Sequence, residues 1–255
     1  MRSLLYVPAD DTGKLDKALS RGADGLLVDL AECSVRGAGA HGEGSRVESS
    51  RVEGSRVEGP YVDGPAVRDE VAAWLRTVPP DAEVWVRINP GPVGHDDARA
   101  LVGPGLRGLV IARTDSTTQL DALDHVLSTV EDENGLAHGS VGVAPTLESA
   151  AGLLGAASIA RGARVVWLHL AEHTLRSELR VEASSDEREL LYARSQVVLA
   201  GAAAGLARPV GPSSKEIGDL TGLRASSLAL RRLGFGARVC LHPSQLDVVN
   251  EVFGT

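Results

Sequence analysis

The chain has 255 residues, a formal net charge of −8, 43% hydrophobic residues and only 3% aromatic ones. That is enough apolar material for a sizeable core, which Ala, Val and Leu must build largely without aromatic rings. The lysines are Lys14, Lys17 and Lys215 and the arginines are scattered, which excludes the clustered basic footprint of a protein for nucleic acid or an anionic membrane; no run approaches the ~18 apolar residues of a membrane span.

The first apolar run, SLLYV (3–7), reads as a strand rather than a signal peptide, because Pro8, Asp10 and Asp11 follow at once. Further strand candidates follow at GLLVDL (25–30), EVWVRIN (83–89), GLVIA (108–112), VGVAPT (141–146), RVVWLHL (164–170), RPVG (208–211) and ARVCL (237–241). Between them lie segments with apolar residues three and four apart, several closed by Gly, the pattern of amphipathic helices with a C-terminal stop. They include 13–22, 65–77, 117–133, 149–162, 187–206, 221–234 and 243–253. Eight strands alternating with helices over this length is the arithmetic of a (β/α)8 TIM barrel, with a doubly wound open sheet as the alternative. The strands are apolar on both faces, as parallel strands covered by helices must be. No linker divides the chain, so residues 1–255 are expected to form one domain.

Residues 36–64 break the pattern, reading GSRVESSRVEGSRVEGPYVDG from Gly44 to Gly64 with a five-residue repeat. A period of five matches neither the helix nor the strand, so its valines share no face. Arg and Glu alternate in nearly equal numbers, leaving a neutral polyampholyte with little to bury. The expectation is a flexible low-complexity loop after the second strand. Cys33 and Cys240 lie far apart in apolar runs; reduced thiols and a cytoplasmic protein are expected, with a thiol function resting only on the rim position of Cys33.

Barrel chemistry sits at the C-terminal ends of the strands. Those positions hold Asp29 and Glu32 after the second strand, Arg87 and Asn89 on the third, Arg113 after the fourth, Glu148 after the fifth, and Glu172 with His173 after the sixth. Acidic and basic groups converging on one rim suit a cation together with a small anionic molecule, although each alone could be a solvated cap. His169 and His173 have a zinc-type spacing, but no helix is expected there to bring them together. His242 reads as a structural residue.

Four stretches carry a resemblance: RSLLYVPAD at the start, VRINP (86–90), LLYARSQVVLAGAAAGL (190–206) and GFGARVCLHPSQLDVVNEVF (234–253). They resemble the citrate lyase β-subunit-like (CitE-like) branch of the HpcH/HpaI aldolase/citrate lyase family, over nearly the whole chain outside the repeat. The resemblance implies a phosphoenolpyruvate/pyruvate-type TIM barrel, assembled as a homo-oligomer such as a trimer or hexamer. It also implies cleavage or formation of a β-hydroxyacyl-CoA such as malyl- or citramalyl-CoA with Mg2+, so that a 2-oxoacid and an acyl-CoA are the small-molecule partners. Carried over by position, Arg87 binds and polarises the substrate, with Arg113 and Asn89 also substrate-binding. Glu148 is a metal carboxylate, and Asp29 and Glu32 orient solvent or substrate.

Several positions depart from the family pattern. DLEDAV appears as DLAECSV, the lysine of DKPAAR is Gly64, and LPK reads IAR, placing Arg113 where lysine is usual. GAED, which holds the second metal carboxylate, reads LAEH, placing His173 at the aspartate position. Imidazole suits Mn2+, Zn2+ or Fe2+ better than Mg2+; Glu172 could replace the lost ligand if the register slips by one. Two readings stay open, a metal-assisted carbon–carbon lyase and a catalytically silent barrel kept as a subunit or small-molecule binder.

Overall fold

Strands β1 (Ser3–Pro8), β2 (Gly25–Asp29), β3 (Val84–Ile88), β4 (Gly108–Ile111), β5 (Gly142–Leu147), β6 (His169–Leu170), β7 (Val210–Gly211) and β8 (Ala237–Cys240) pair in sequence order, all parallel, and β8 closes on β1. The computed structural model describes residues 1–10, 12–31, 64–182, 184 and 186–254. The repeat, Glu32, Cys33 and Asp63 lie outside the described residues. Helices α1 (Thr12–Leu19), α2 (Gly64–Leu75), α3 (Pro92–Leu101), α4 (Thr117–Glu133), α5 (Ala150–Leu154), α6 (Ala156–Ile159), α7 (Glu172–Leu179), α8 (Leu191–Ala203), α9 (Leu220–Leu233) and α10 (Leu246–Phe253) connect the strands. The expected barrel is therefore the fold, and the open-sheet alternative falls away.

Two apolar layers hold it. The larger lies between strands and helices, where outward-facing Leu26, Val28, Val86, Leu109 and Val143 meet Leu15, Val71, Leu127 and Val197. The smaller fills the barrel itself with Leu4, Leu27, Trp85, Val110, Ala144, Trp167, Val210, Ala237 and Val239. In a chain so poor in aromatics, two tryptophans plug this interior, with ring centroids 4.9 Å apart and planes at 68°, the edge-to-face arrangement that aromatic quadrupoles favour. Gly108 makes room for them: a Cβ there would stand 2.4 Å from Trp85 Cζ3 and 2.5 Å from the Gly142 carbonyl oxygen.

Strand alternation then dictates what lies above this plug. Side chains repeat every second residue on one face, so stepping by two from Leu4, Leu27, Trp85, Ala144 and Trp167 gives Tyr6, Asp29, Arg87, Thr146 and His169. Each of these five plug residues thus carries a polar residue one layer nearer the C-terminal mouth, whereas Val110, Val210 and Val239 lead to Ala112, Pro212 and Leu241. Register fixes their neighbours, since Asp29 pairs with Arg87 and Thr146 with His169.

Three elements differ from the sequence-based reading. The sixth strand shrinks to His169–Leu170, because Arg164 adopts φ 62° and Val165 makes only a lone bridge to Val143. Helix α3, with Pro92 in its first turn, has an apolar face too short to stand out. Helix α7 begins at Glu172, directly after β6, where an extended segment was expected.

Candidate active site

Asp29, Arg87 and Glu148 form the centre of the C-terminal rim. Arg87 Nη1 donates to both oxygens of Asp29, at 3.2 and 3.0 Å, and Nη2 reaches Glu148 Oε1 at 3.5 Å. Tyr6 donates its hydroxyl to Asp29 Oδ2 at 2.5 Å, and the Ala31 amide donates to Oδ1 at 3.0 Å. Asp29 is thus a fully bonded, buried carboxylate whose charge orients the guanidinium.

Glu148 is held differently. Its Oε1 accepts the Arg113 backbone N–H at 2.6 Å, and no hydrogen bond runs to Oε2 among the described residues. Arg113 sits at φ 44°, a left-handed conformation that costs free energy for any residue but glycine. Its guanidinium points to the rim's outer wall, pairing with Glu178 at 3.0 Å and Asp115 at 3.6 Å. Glu178 also accepts the Ala150 amide at the start of α5, at 2.9 Å, so Arg113 binds the β4, β5 and β6 loops together. Asn89 spends its side-chain amide on the Ala31 carbonyl, at 2.9 Å, tying the ends of β2 and β3.

Beneath this centre, His169 is buried beside Thr146, with Nδ1 and Oγ1 3.4 Å apart. Burial first, and the nearby Arg87 charge second, push its pKa down to about 3, so the imidazole is neutral at ordinary pH.

Glu172 and His173 part ways at the head of α7. Glu172 turns inward to a buried bidentate pair with Arg194 on α8, at 2.5 and 2.8 Å, and Arg194 also meets Glu187 at 2.6 Å. Burial works against the Arg194 charge, but the two carboxylates hold its pKa above the usual arginine value. His173 points outward, with Nε2 2.8 Å from Lys215 Nζ in the loop after β7. Its pKa is lowered by burial, then by Lys215 and Arg176.

A magnesium-type cation asks for oxygen ligands. Of the carboxylates on this rim, Asp29 and Glu172 have both oxygens bonded to neighbours, and the His173 nitrogen faces an ammonium group. Of Asp29, Glu148 and Glu172, Glu148 is the one with an oxygen that accepts no hydrogen bond among the described residues, and no group of three His, Cys, Asp or Glu side chains among the described residues could hold a metal. As placed, the described donors therefore do not present a two-carboxylate magnesium site, because Glu172, the ligand that a register slip would supply, is paired with Arg194.

Tyr6, Thr146, Lys215, Glu178 and Arg194 were not among the residues singled out in the sequence. Tyr6 and Thr146 follow from the two-residue step above the plug, whereas Lys215 stands on a rim loop beyond the last strand end considered. His242 caps the turn Pro243–Gln245 through the Ser244 amide, and Cys240 is buried, with its thiol pushed up to about 12.

Residues 63–243 match the family described as HpcH/HpaI aldolase/citrate lyase. The chain is 26% identical over 175 residues to the citrate lyase subunit beta of Leuconostoc mesenteroides subsp. cremoris, covering 68% of this chain and 58% of that protein. It is 27% identical over 255 residues to a (3S)-malyl-CoA thioesterase from Cereibacter sphaeroides, covering 99% of this chain and 76% of that one. Among solved structures, protein CitE from Mycobacterium tuberculosis in complex with magnesium, acetoacetate and coenzyme A superposes with a TM-score of 0.73 at 23% identity, over 99% of this chain and 80% of that one. At that identity the likeness concerns the fold.

Proposed function

The chain belongs to the HpcH/HpaI aldolase/citrate lyase family, and from that premise we propose that it cleaves or forms a carbon–carbon bond in a β-hydroxyacyl-CoA such as malyl- or citramalyl-CoA. The observation that carries the proposal is Arg87, fixed by Asp29 and Glu148 at the mouth of the barrel. A planar guanidinium pre-set by two carboxylates suits a carboxylate or carbonyl oxygen on the substrate.

In the cleavage direction the substrate's hydroxyl proton leaves and its oxygen becomes the carbonyl of a 2-oxoacid. The bond to the neighbouring carbon breaks, its electron pair passing into the thioester as an enolate, and a proton returned to that carbon gives the acyl-CoA. Arg87 holds and polarises the oxoacid half, where negative charge gathers. Glu148 Oε2, to which no described residue donates, takes the hydroxyl proton. Asp29 acts as a positioning residue for Arg87. Arg113 shapes the site through its backbone N–H, and Asn89 through the β2–β3 tie. Glu32 orients solvent or substrate. The likeness to a malyl-CoA thioesterase gives a second reading, in which the same carboxylate recognition precedes thioester hydrolysis.

The family frame also supports a homo-oligomer. Helix α8 exposes Leu191, Tyr192 and Leu199 to solvent at 48%, 63% and 66%, an apolar surface suited to a second copy.

Incubation with malyl-CoA and with citramalyl-CoA, following 2-oxoacid and free thiol separately, tests the reaction. A 2-oxoacid without thiol supports the lyase, thiol without 2-oxoacid supports hydrolysis, and neither product supports the silent-barrel reading.

A further inference from the structure

We infer that Lys215, with Arg176 beside it and His173 holding it in place, supplies the positive charge that binds the substrate's carboxylate, in place of a divalent cation. The inference rests on the proposed function, in which this rim receives a 2-oxoacid.

The argument is one of charge and donor count. At the family's second metal-carboxylate position this chain carries His173, and its Nε2 faces the Lys215 ammonium at 2.8 Å. An ammonium has three donors; among the described residues His173 is the one partner of Lys215, so two donors remain. Arg176, one helical turn beyond His173 on α7, forms no ion pair among the described residues. The acidic side chains of α7 are spent elsewhere, Glu172 on Arg194, and Glu178 on Arg113 and the Ala150 amide, and Glu216, next to Lys215 in the loop after β7, is exposed and forms no ion pair with it. A divalent cation would therefore meet two positive charges that have no ion-pair partner among the described residues, where its second carboxylate should be, while an anion would meet two charge partners. The head of α7 adds to this, because Ala171 at its N-cap has no side chain to cap the first amides, leaving N–H groups that favour a negative group.

Lys215 lies in the loop after β7 and His173 follows β6, so the pair stands on the same C-terminal rim as Glu148 after β5 and Arg87 on β3. Loss of the aspartate and gain of a lysine contact in its place thus act together. One removes the anionic ligand that a cation needs, and the other supplies the charge that the cation would have brought.

Titration calorimetry of the full chain with pyruvate, first in chelator and then with added Mg2+, tests the inference. Pyruvate should bind in chelator, with Kd changing less than about two-fold when Mg2+ is added. Lys215→Ala should weaken binding at least about ten-fold and Lys215→Arg should largely retain it, each with an unchanged melting temperature because the side chain is exposed. The double variant His173→Asp with Lys215→Ala should bind pyruvate only when Mg2+ is present. Binding lost in chelator and restored by Mg2+ overturns the inference while leaving the 2-oxoacid reading intact. An unaffected Lys215→Ala overturns it too, as does a Lys215→Ala that weakens coenzyme A but not pyruvate. No pyruvate binding with or without Mg2+ overturns both the inference and the reading beneath it.

Discussion

Two arginines on the rim show how position decides the role of one residue type. Arg87 is half-buried and shared between Asp29 and Glu148, so it is oriented without being neutralised in place by a single partner. Arg194 is sealed between Glu172 and Glu187 and serves stability. Removing one member of a buried pair strands the other charge, at a cost of about 3–5 kcal/mol. Arg194→Met should therefore lower stability by about that amount in a denaturant titration, and adding Glu172→Leu should recover part of it. A variant pair that simply added would mean the two side chains are not coupled. Asp29, Arg87 and Glu148 were legible in the sequence because strand ends and two-residue alternation place them. The fates of Glu172 and His173 were not, because they depend on partners 22 and 42 residues away that no local pattern announces.

At the scale of elements, the barrel's lower plug and upper polar layer are two faces of one alternation, so damage below should be felt above. Gly108→Ala would push a methyl into Trp85 and the Gly142 carbonyl. The expected cost is about 1–3 kcal/mol, typical of overpacking, read as a fall in melting temperature with altered tryptophan fluorescence. No fall would show that β4 shifts freely. Most elements were readable from their periods. The exceptions have physical reasons: α3 presents only Ala98, Leu101 and two small or polar side chains to the core, and β6 is cut short by the left-handed turn at Arg164. That turn is itself stabilised from a distance, since Arg164 pairs with Asp124, Glu131 and Ser128 of α4. The exposed apolar surface of α8 gives a further expectation, that Leu199→Glu lowers the assembly state in light scattering without unfolding the chain; an unchanged mass would place any interface elsewhere.

For the whole molecule, acid should destabilise the barrel through two groups whose pH ranges overlap. His169 has its pKa lowered from 6.5 to about 3, so as pH falls below 6.5 the unfolded chain takes up a proton that the folded chain refuses, and stability drops. Burial would raise the Glu131 carboxyl, but its bonds to Arg164 and to the Val141 and Gly139 amides hold it down, from 4.5 to about 2. It therefore adds a second loss as pH falls from 4.5 towards 2. Each group contributes at most about 1.4 kcal/mol per pH unit. Melting temperatures should be flat near neutrality and fall below pH 6.5, and His169→Gln should remove the first part of the fall; a profile unchanged by that variant would mean His169 is not buried neutral. The central claim, that Arg87 is the substrate-binding and polarising group of a carbon–carbon lyase, is tested most directly by Arg87→Lys. Lysine keeps a positive charge for Asp29 but loses the planar fork. The account predicts a fall of at least about 100-fold in kcat/KM for 2-oxoacid release from malyl- or citramalyl-CoA, at a nearly unchanged melting temperature. Wild-type turnover in Arg87→Lys would contradict it.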